Sequence, residues 1–127
     1  WSKRRSSMNK VEALQELIRN LKAAVPEIRG VMVASQDGLP IAHDFPEAEA
    51  PRIAAMAATS LGLGKRIAST LRLGDFQEAV VRGAGGYLVV YEAGEKGVLA
   101  VAAPQGANLG LIHLEAREAA KELRELL

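Results

Sequence analysis

The sequence predicts one α+β domain that runs helix, two strands, helix, three strands, helix. Three observations predict it. Apolar residues recur at alternating steps of three and four in three separate stretches, as in helices that bury one face. Between those stretches lie short runs rich in β-branched residues, each bounded by glycine, proline or aspartate. The gaps within each group of strands are too short for anything but antiparallel neighbours.

The first helix opens at Asn9, with Glu12 at the capping-box spacing, and continues through Val11, Leu14, Ile18, Leu21 and Val25 until Pro26 stops it. Gly30 leads into the run Val31-Met32-Val33-Ala34, and Asp37-Gly38 turns the chain back into Leu39-Pro40-Ile41-Ala42-His43, a hairpin. Pro40 has no N–H to give a ladder, so the second strand belongs at a sheet edge or begins at Pro40. Asp44-Phe45-Pro46-Glu47 and Pro51 carry the chemistry of a helix start, and a long helix follows, ending between Leu71 and Gly74. Phe76 to Arg82, Tyr87 to Ala93 and Val98 to Ala103 then read as a three-stranded meander, joined by Ala84-Gly85-Gly86 and Gly94-Glu95-Lys96-Gly97. Asn108 caps a last helix whose stripe is Leu109, Ile112, Ala116, Ala119, Leu123 and Leu126.

Composition narrows the function. The 127 residues contain 16 basic and 15 acidic side chains and no cysteine, which excludes zinc ribbons, thiol chemistry and a disulfide scaffold. Lys3, Arg4, Arg5 and Lys10 all precede the first acid, Glu12, so the rest of the chain is mildly acidic. Its aromatics are Phe45, Phe76, Tyr87 and Tyr91, with Trp1 in the basic head. A nucleic-acid surface needs a basic face and stacking aromatics, so no nucleic-acid partner is expected. The longest apolar runs, Ile53 to Ala58 and Val98 to Ala103, are far short of the roughly 20 residues that span a bilayer. Residues 1–8 are expected to be a basic N-terminal arm, a tag remnant or the flank of a lost segment, and the only part suited to membrane contact. The domain itself is expected at 9–127, in the cytoplasm.

No motif carries catalysis. Leu61-Gly62-Leu63-Gly64-Lys65-Arg66 has the Gly-Lys pair of a phosphate loop but lacks the earlier glycine and the following Ser or Thr, and it lies inside a helix. His43, His113, Ser35, Ser60 and Ser69 sit at element ends or on helices, and none occupies a nucleophile elbow. Asp37, Asp44 and Asp75 fall where a carboxylate satisfies backbone donors. Neither a cofactor, a metal nor intrinsic turnover is expected.

The middle helix is unusual. Two adjacent apolar stripes run along it, Ile53, Met56, Ser60, Leu63 and Ile67 on one, Ala54, Ala57, Leu61, Gly64, Ala68 and Leu71 on the other. One stripe covers a sheet; the second calls for another partner. Gly62 and Gly64 each cost about 0.8–1.0 kcal/mol against alanine in a helix interior, which close approach of another backbone would offset. On the remaining side Arg52, Thr59, Arg66 and Ser69 follow helical spacing, with Lys65 and Arg72 nearby, a surface suited to an acidic partner.

In order along the chain, Val25-Pro26-Glu27-Ile28-Arg29-Gly30-Val31, Ser35-Gln36-Asp37-Gly38-Leu39-Pro40-Ile41-Ala42, the Ala-rich helix, Glu78-Ala79-Val80-Val81, Gly86-Tyr87-Leu88-Val89-Val90 and Asn108-Leu109-Gly110-Leu111 resemble the Roadblock/LC7 family, in its bacterial and archaeal MglB-like branch. The resemblance implies a profilin-like αββαβββα fold: a five-stranded antiparallel sheet with the first and last helices on one face and the middle helix on the other. It implies an obligate homodimer that pairs middle helices and third strands. The interface expected is Ile53, Ala54, Met56, Ala57, Ser60, Leu61, Gly64, Ala68 and Val80. It also implies a non-catalytic regulator or scaffold of a Ras-like small GTPase, a GTPase-activating protein among the candidates, with Arg52, Lys65, Arg66, Ser69 and Arg72 facing that partner. The alternatives are a structural adaptor resembling a motor light chain and a small-ligand sensor.

Overall fold

The computed structural model describes residues 8–127, so the basic arm expected at 1–8 lies outside the described residues except for Met8. The elements are α1 (Lys10–Ala24), β1 (Gly30–Ser35), β2 (Pro40–His43), α2 (Ala50–Thr70), β3 (Ala79–Gly83), β4 (Gly86–Ala93), β5 (Gly97–Pro104) and α3 (Leu109–Leu126). All eight stand in the expected order. The strands make one antiparallel sheet in the order β2-β1-β5-β4-β3.

Because side chains alternate along a strand, the sheet sorts its residues between two cores. Val31, Val33, Val89, Tyr91, Leu99 and Val101 point to the face covered by α1 and α3. Met32, Ala34, Val90, Val98 and Ala100 point to the face covered by α2. This is the α+β profilin-like arrangement. β1 and β5 are buried on both faces, which is why their sequences are continuous apolar runs without polar alternation. Each fully buried Leu or Val contributes about 1.5–3 kcal/mol relative to exposure.

Local chemistry sets the ends. The Asn9 carboxamide oxygen accepts the Glu12 N–H at 2.8 Å while its amide donates to the Glu12 carboxylate at 2.6 Å, so the reciprocal cap runs through the Asn9 side chain. Asn108 caps α3 by accepting the Leu111 N–H at 3.0 Å. Gly38 turns the β1–β2 hairpin at φ 92, a left-handed angle open to glycine. Pro40 is the first residue of β2, and β2 is an edge strand, so both readings of Pro40 hold.

Three expectations need correction. Val11 is 63% exposed, and Leu17 takes its place on the buried face of α1. Phe76 is not in β3, which begins only at Ala79, because residues 76–78 carry the chain from α2 back to the sheet with the Phe76 ring against Gly64. Asp44 does not cap α2. Its carboxylate accepts the Val31 N–H at 2.7 Å and pairs with Lys22, pinning the end of β2 to β1 and α1, while Glu49 takes the N-cap position of α2 without a side-chain cap bond.

Candidate functional site

The two stripes of α2 meet different fates. Ala50, Ala54, Ala57 and Leu61 lie flat on the sheet and are buried. Small alanines let the helix sit close, and Leu61 fills the remaining depth against β4 and β5. The other stripe is left outside: Met56 and Leu63 are 54% and 57% exposed, Ile67 is also exposed, and Ile53 and Ser60 are half-buried; Leu71, which ends the alanine-containing stripe one helical step after Ile67, is exposed beside them. Ala54, Ala57 and Leu61 were expected at a dimer interface, and the structure corrects that, since these side chains are already enclosed within their own protomer.

Gly64 needs a second correction. A Cβ there would stand 2.6 Å from the Phe76 ring and 3.5 Å from the Ala79 methyl, so the absence of a side chain is explained inside one protomer. Gly62 is different: nothing lies within 4 Å of the Cβ it lacks, and it faces solvent. The Gly64 contacts also orient the helix. They place the outward stripe on the side of α2 that looks toward β3.

β3 is the free edge on that side, and its register decides which side chains join the stripe. Ala79 pairs with Val90 and Val81 with Leu88, and these partners belong to the α2 core, so Val81 shares the face of α2. Val80 pairs with Val89 and therefore faces the α1–α3 side. Val81 is 58% exposed. The expected Val80 is thus replaced on this surface by Val81, while Ala68 is half-buried beside it on α2.

The five cations and hydroxyls expected to face a partner are not one patch. Arg52 pairs with Glu49 at 2.5 Å near the start of α2, and Lys65 reaches Glu92 on β4 at 2.5 Å. Arg66 and Ser69 are exposed on the C-terminal half. Arg72 follows the helix and is the only non-glycine at positive φ, 55, among the described residues. Arg52 and Arg72 are separated by the whole helix, about 30 Å at 1.5 Å per residue.

Elsewhere the expected polar residues have structural partners. His43 Nδ1 accepts the Phe45 N–H at 3.1 Å. On the other face Tyr91 and His113 Nδ1 share a hydrogen bond of 2.8 Å, with Glu78 4.0 Å from His113 and bonded to Arg117 at 2.7 Å. Burial pushes the Tyr91 phenol well above its ordinary pKa, with the Glu78 carboxylate adding to the shift, so it stays neutral and ties β4 to α3. Among the described residues no helix is long and apolar enough to cross a membrane.

The expected interface did not include Val81, Leu63 or Ile67, which are exposed together on this surface. Leu63 and Ile67 were visible by spacing. Val81 required the register of β3.

Comparison with known proteins agrees with this architecture. The uncharacterized protein MJ1340 of Methanocaldococcus jannaschii is 33% identical over 100 residues, which is 78% of this chain and 87% of that protein. The solved Roadblock/LC7 domain from Streptomyces avermitilis has a TM-score of 0.80 at 27% identity, covering 87% of this chain and 93% of that one. MglB in a tetrameric arrangement has a TM-score of 0.82 at 23% identity over 94% of this chain and 90% of that one, a likeness of fold. Residues 14–103 match the Roadblock/LC7 domain, and with the five-stranded sheet, the helix placement and the open α2–β3 surface in view, the chain belongs to the Roadblock/LC7 family.

Proposed function

We propose that this chain is a homodimeric regulator or scaffold of a Ras-like small GTPase, acting in the cytoplasm without turnover of its own. Membership of the Roadblock/LC7 family supports the regulator part of this reading, and one observation carries the homodimer: an exposed apolar helix stripe and an unpaired strand edge lie side by side on the same surface. An edge with free backbone donors and acceptors beside an apolar strip is a surface for pairing with a second copy. The tetrameric arrangement of the MglB of similar fold supports self-association. Pairing the α2 stripes and β3 edges leaves Lys65, Arg66 and Ser69 on the outward side of a rigid two-helix platform. A basic surface of this kind steers an acidic partner more than it adds affinity.

The test is a titration of the purified dimer against a Ras-like GTPase of the same genome, loaded with GDP or with a non-hydrolysable GTP analogue. Nucleotide-dependent affinity identifies a regulator or effector. Equal affinity identifies a scaffold, since a ligand that binds two states equally shifts neither. Stimulated hydrolysis in the same mixture identifies an activating protein. Arg66→Glu is expected to slow association with a salt-dependent on-rate and to leave the dimer intact. Absence of binding in both states overturns the GTPase reading.

A further inference from the structure

The geometry of α2 also says how two copies would meet, an inference that rests on the dimer proposed above. Closed dimers are two-fold symmetric. A two-fold that joins β3 to its own copy and keeps both α2 helices on one face of the extended sheet must stand perpendicular to that sheet. It therefore reverses the helices as well as the strands, so the two α2 helices run antiparallel. The outward stripe suits this arrangement. Read backwards about the Leu61–Gly62 bond, Ile67 falls opposite Met56, Leu63 opposite Ser60, and Leu71 opposite Arg52, one residue from Ile53, which sets the apolar side chains of each stripe along the stripe of the other copy.

The ends of the stripe carry opposite charges. Glu49 stands one helical step before Ile53 on the line of the stripe, and its half-exposed carboxylate already receives Arg52 at 2.5 Å. Arg72 stands just past Leu71 at the other end. There the chain closes the helix with the Leu73 N–H on the Ala68 carbonyl at 2.8 Å and the Arg72 N–H on the Ser69 carbonyl at 3.2 Å. The residue in the left-handed position of such a closure is ordinarily glycine. Here it is arginine, exposed, between exposed Leu71 and Leu73, with no side-chain hydrogen bond or ion pair among the described residues. An antiparallel copy brings this guanidinium to the first turn of the facing helix, where Glu49 is.

We propose that in the dimer Arg72 of each protomer binds Glu49 of the second copy, so that each Glu49 holds its own Arg52 and the other chain's Arg72. Glu47, which pairs with His43 at 3.5 Å, and Asp75 are the other carboxylates at these ends. The pair sets both the direction and the register of the helix contact, and it moves Arg72 from the GTPase-facing group to the dimer seam.

Charge reversal tests it. Dimer dissociation constants would be measured by analytical ultracentrifugation for wild type, Arg72→Glu, Glu49→Arg and the double variant. Each single reversal is expected to weaken the dimer about tenfold or more, and the double variant to return to within about threefold of wild type. Arg72→Gly keeps the turn, relieves the left-handed angle and removes the charge, so it is expected to weaken the dimer while raising or preserving the melting temperature. A wild-type chain that is monomeric at micromolar concentration overturns the dimer reading itself. A wild-type dimer whose tightness survives Arg72→Gly and both single reversals, or whose double variant is weaker than either single, overturns this pairing and leaves the dimer standing.

Discussion

The two edges of the sheet are built in opposite ways. β2 is four residues long and opens with proline, and its register against β1 shifts between Val33 and Ala34. Its end is closed off as well: Asp44 ties it to the Val31 N–H and to Lys22, and the Phe45 ring lies over Gly30, leaving no room for a side chain there. Short length, an edge proline and an irregular register are the devices by which natural sheets prevent edge pairing. β3 is only one residue longer but has neither the proline nor the irregular register. It is five residues in unbroken register with β4, with Val80 and Val81 exposed. The contrast teaches that one edge is defended and the other left open, and the open one lies beside the uncovered stripe of α2.

The largest expected effect comes from breaking the open edge. Val81→Asp places a charge in the proposed seam and is expected to lose about 3 kcal/mol of association, seen as a monomer by sedimentation with little change in the protomer's fold. Val80→Asp, one residue away on the other face, is expected to weaken the dimer far less, so the pair also tests the register. Damage to the defended edge should appear in folding instead. Gly30→Val forces Phe45 from its place and is expected to cost about 2 kcal/mol in urea unfolding, with the dimer retained at urea concentrations below the unfolding range. Asp44→Ala leaves the Val31 N–H without its acceptor and removes the Lys22 pair, an expected loss of about 1.5 kcal/mol by the same measurement. Pro40→Val is the mildest change, within about 0.5 kcal/mol in stability. Its readout is aggregation on storage, expected to rise because a defence of the edge has been removed while the dimer constant stays unchanged.

Much of this molecule was legible in the sequence because the signals are local. Asn9 and Asn108 cap helices with their own side chains, Asp37-Gly38 forces a turn, Pro26 ends a helix, and steps of three and four mark a helical face, all within one or two turns of chain. The order of elements follows from these, and the short connections make the strand pairs antiparallel. Tertiary structure alone decided what the faces meet. Periodicity shows that Ala54, Ala57 and Leu61 share one side of α2 and Met56, Leu63 and Ile67 another, but both stripes are apolar, and only packing on the sheet selects the narrow alanine-lined one for the interior. Val81 rather than Val80 joins the outward stripe because pairing with Leu88 sets its face, a long-range register that neither valine encodes by itself. Gly64 answers to Phe76, and Asp44 to Val31, across contacts that sequence spacing does not reveal. Local conformational preferences act within a few residues, whereas the choice among equivalent apolar surfaces is made by the free energy of burying one of them against the assembled sheet.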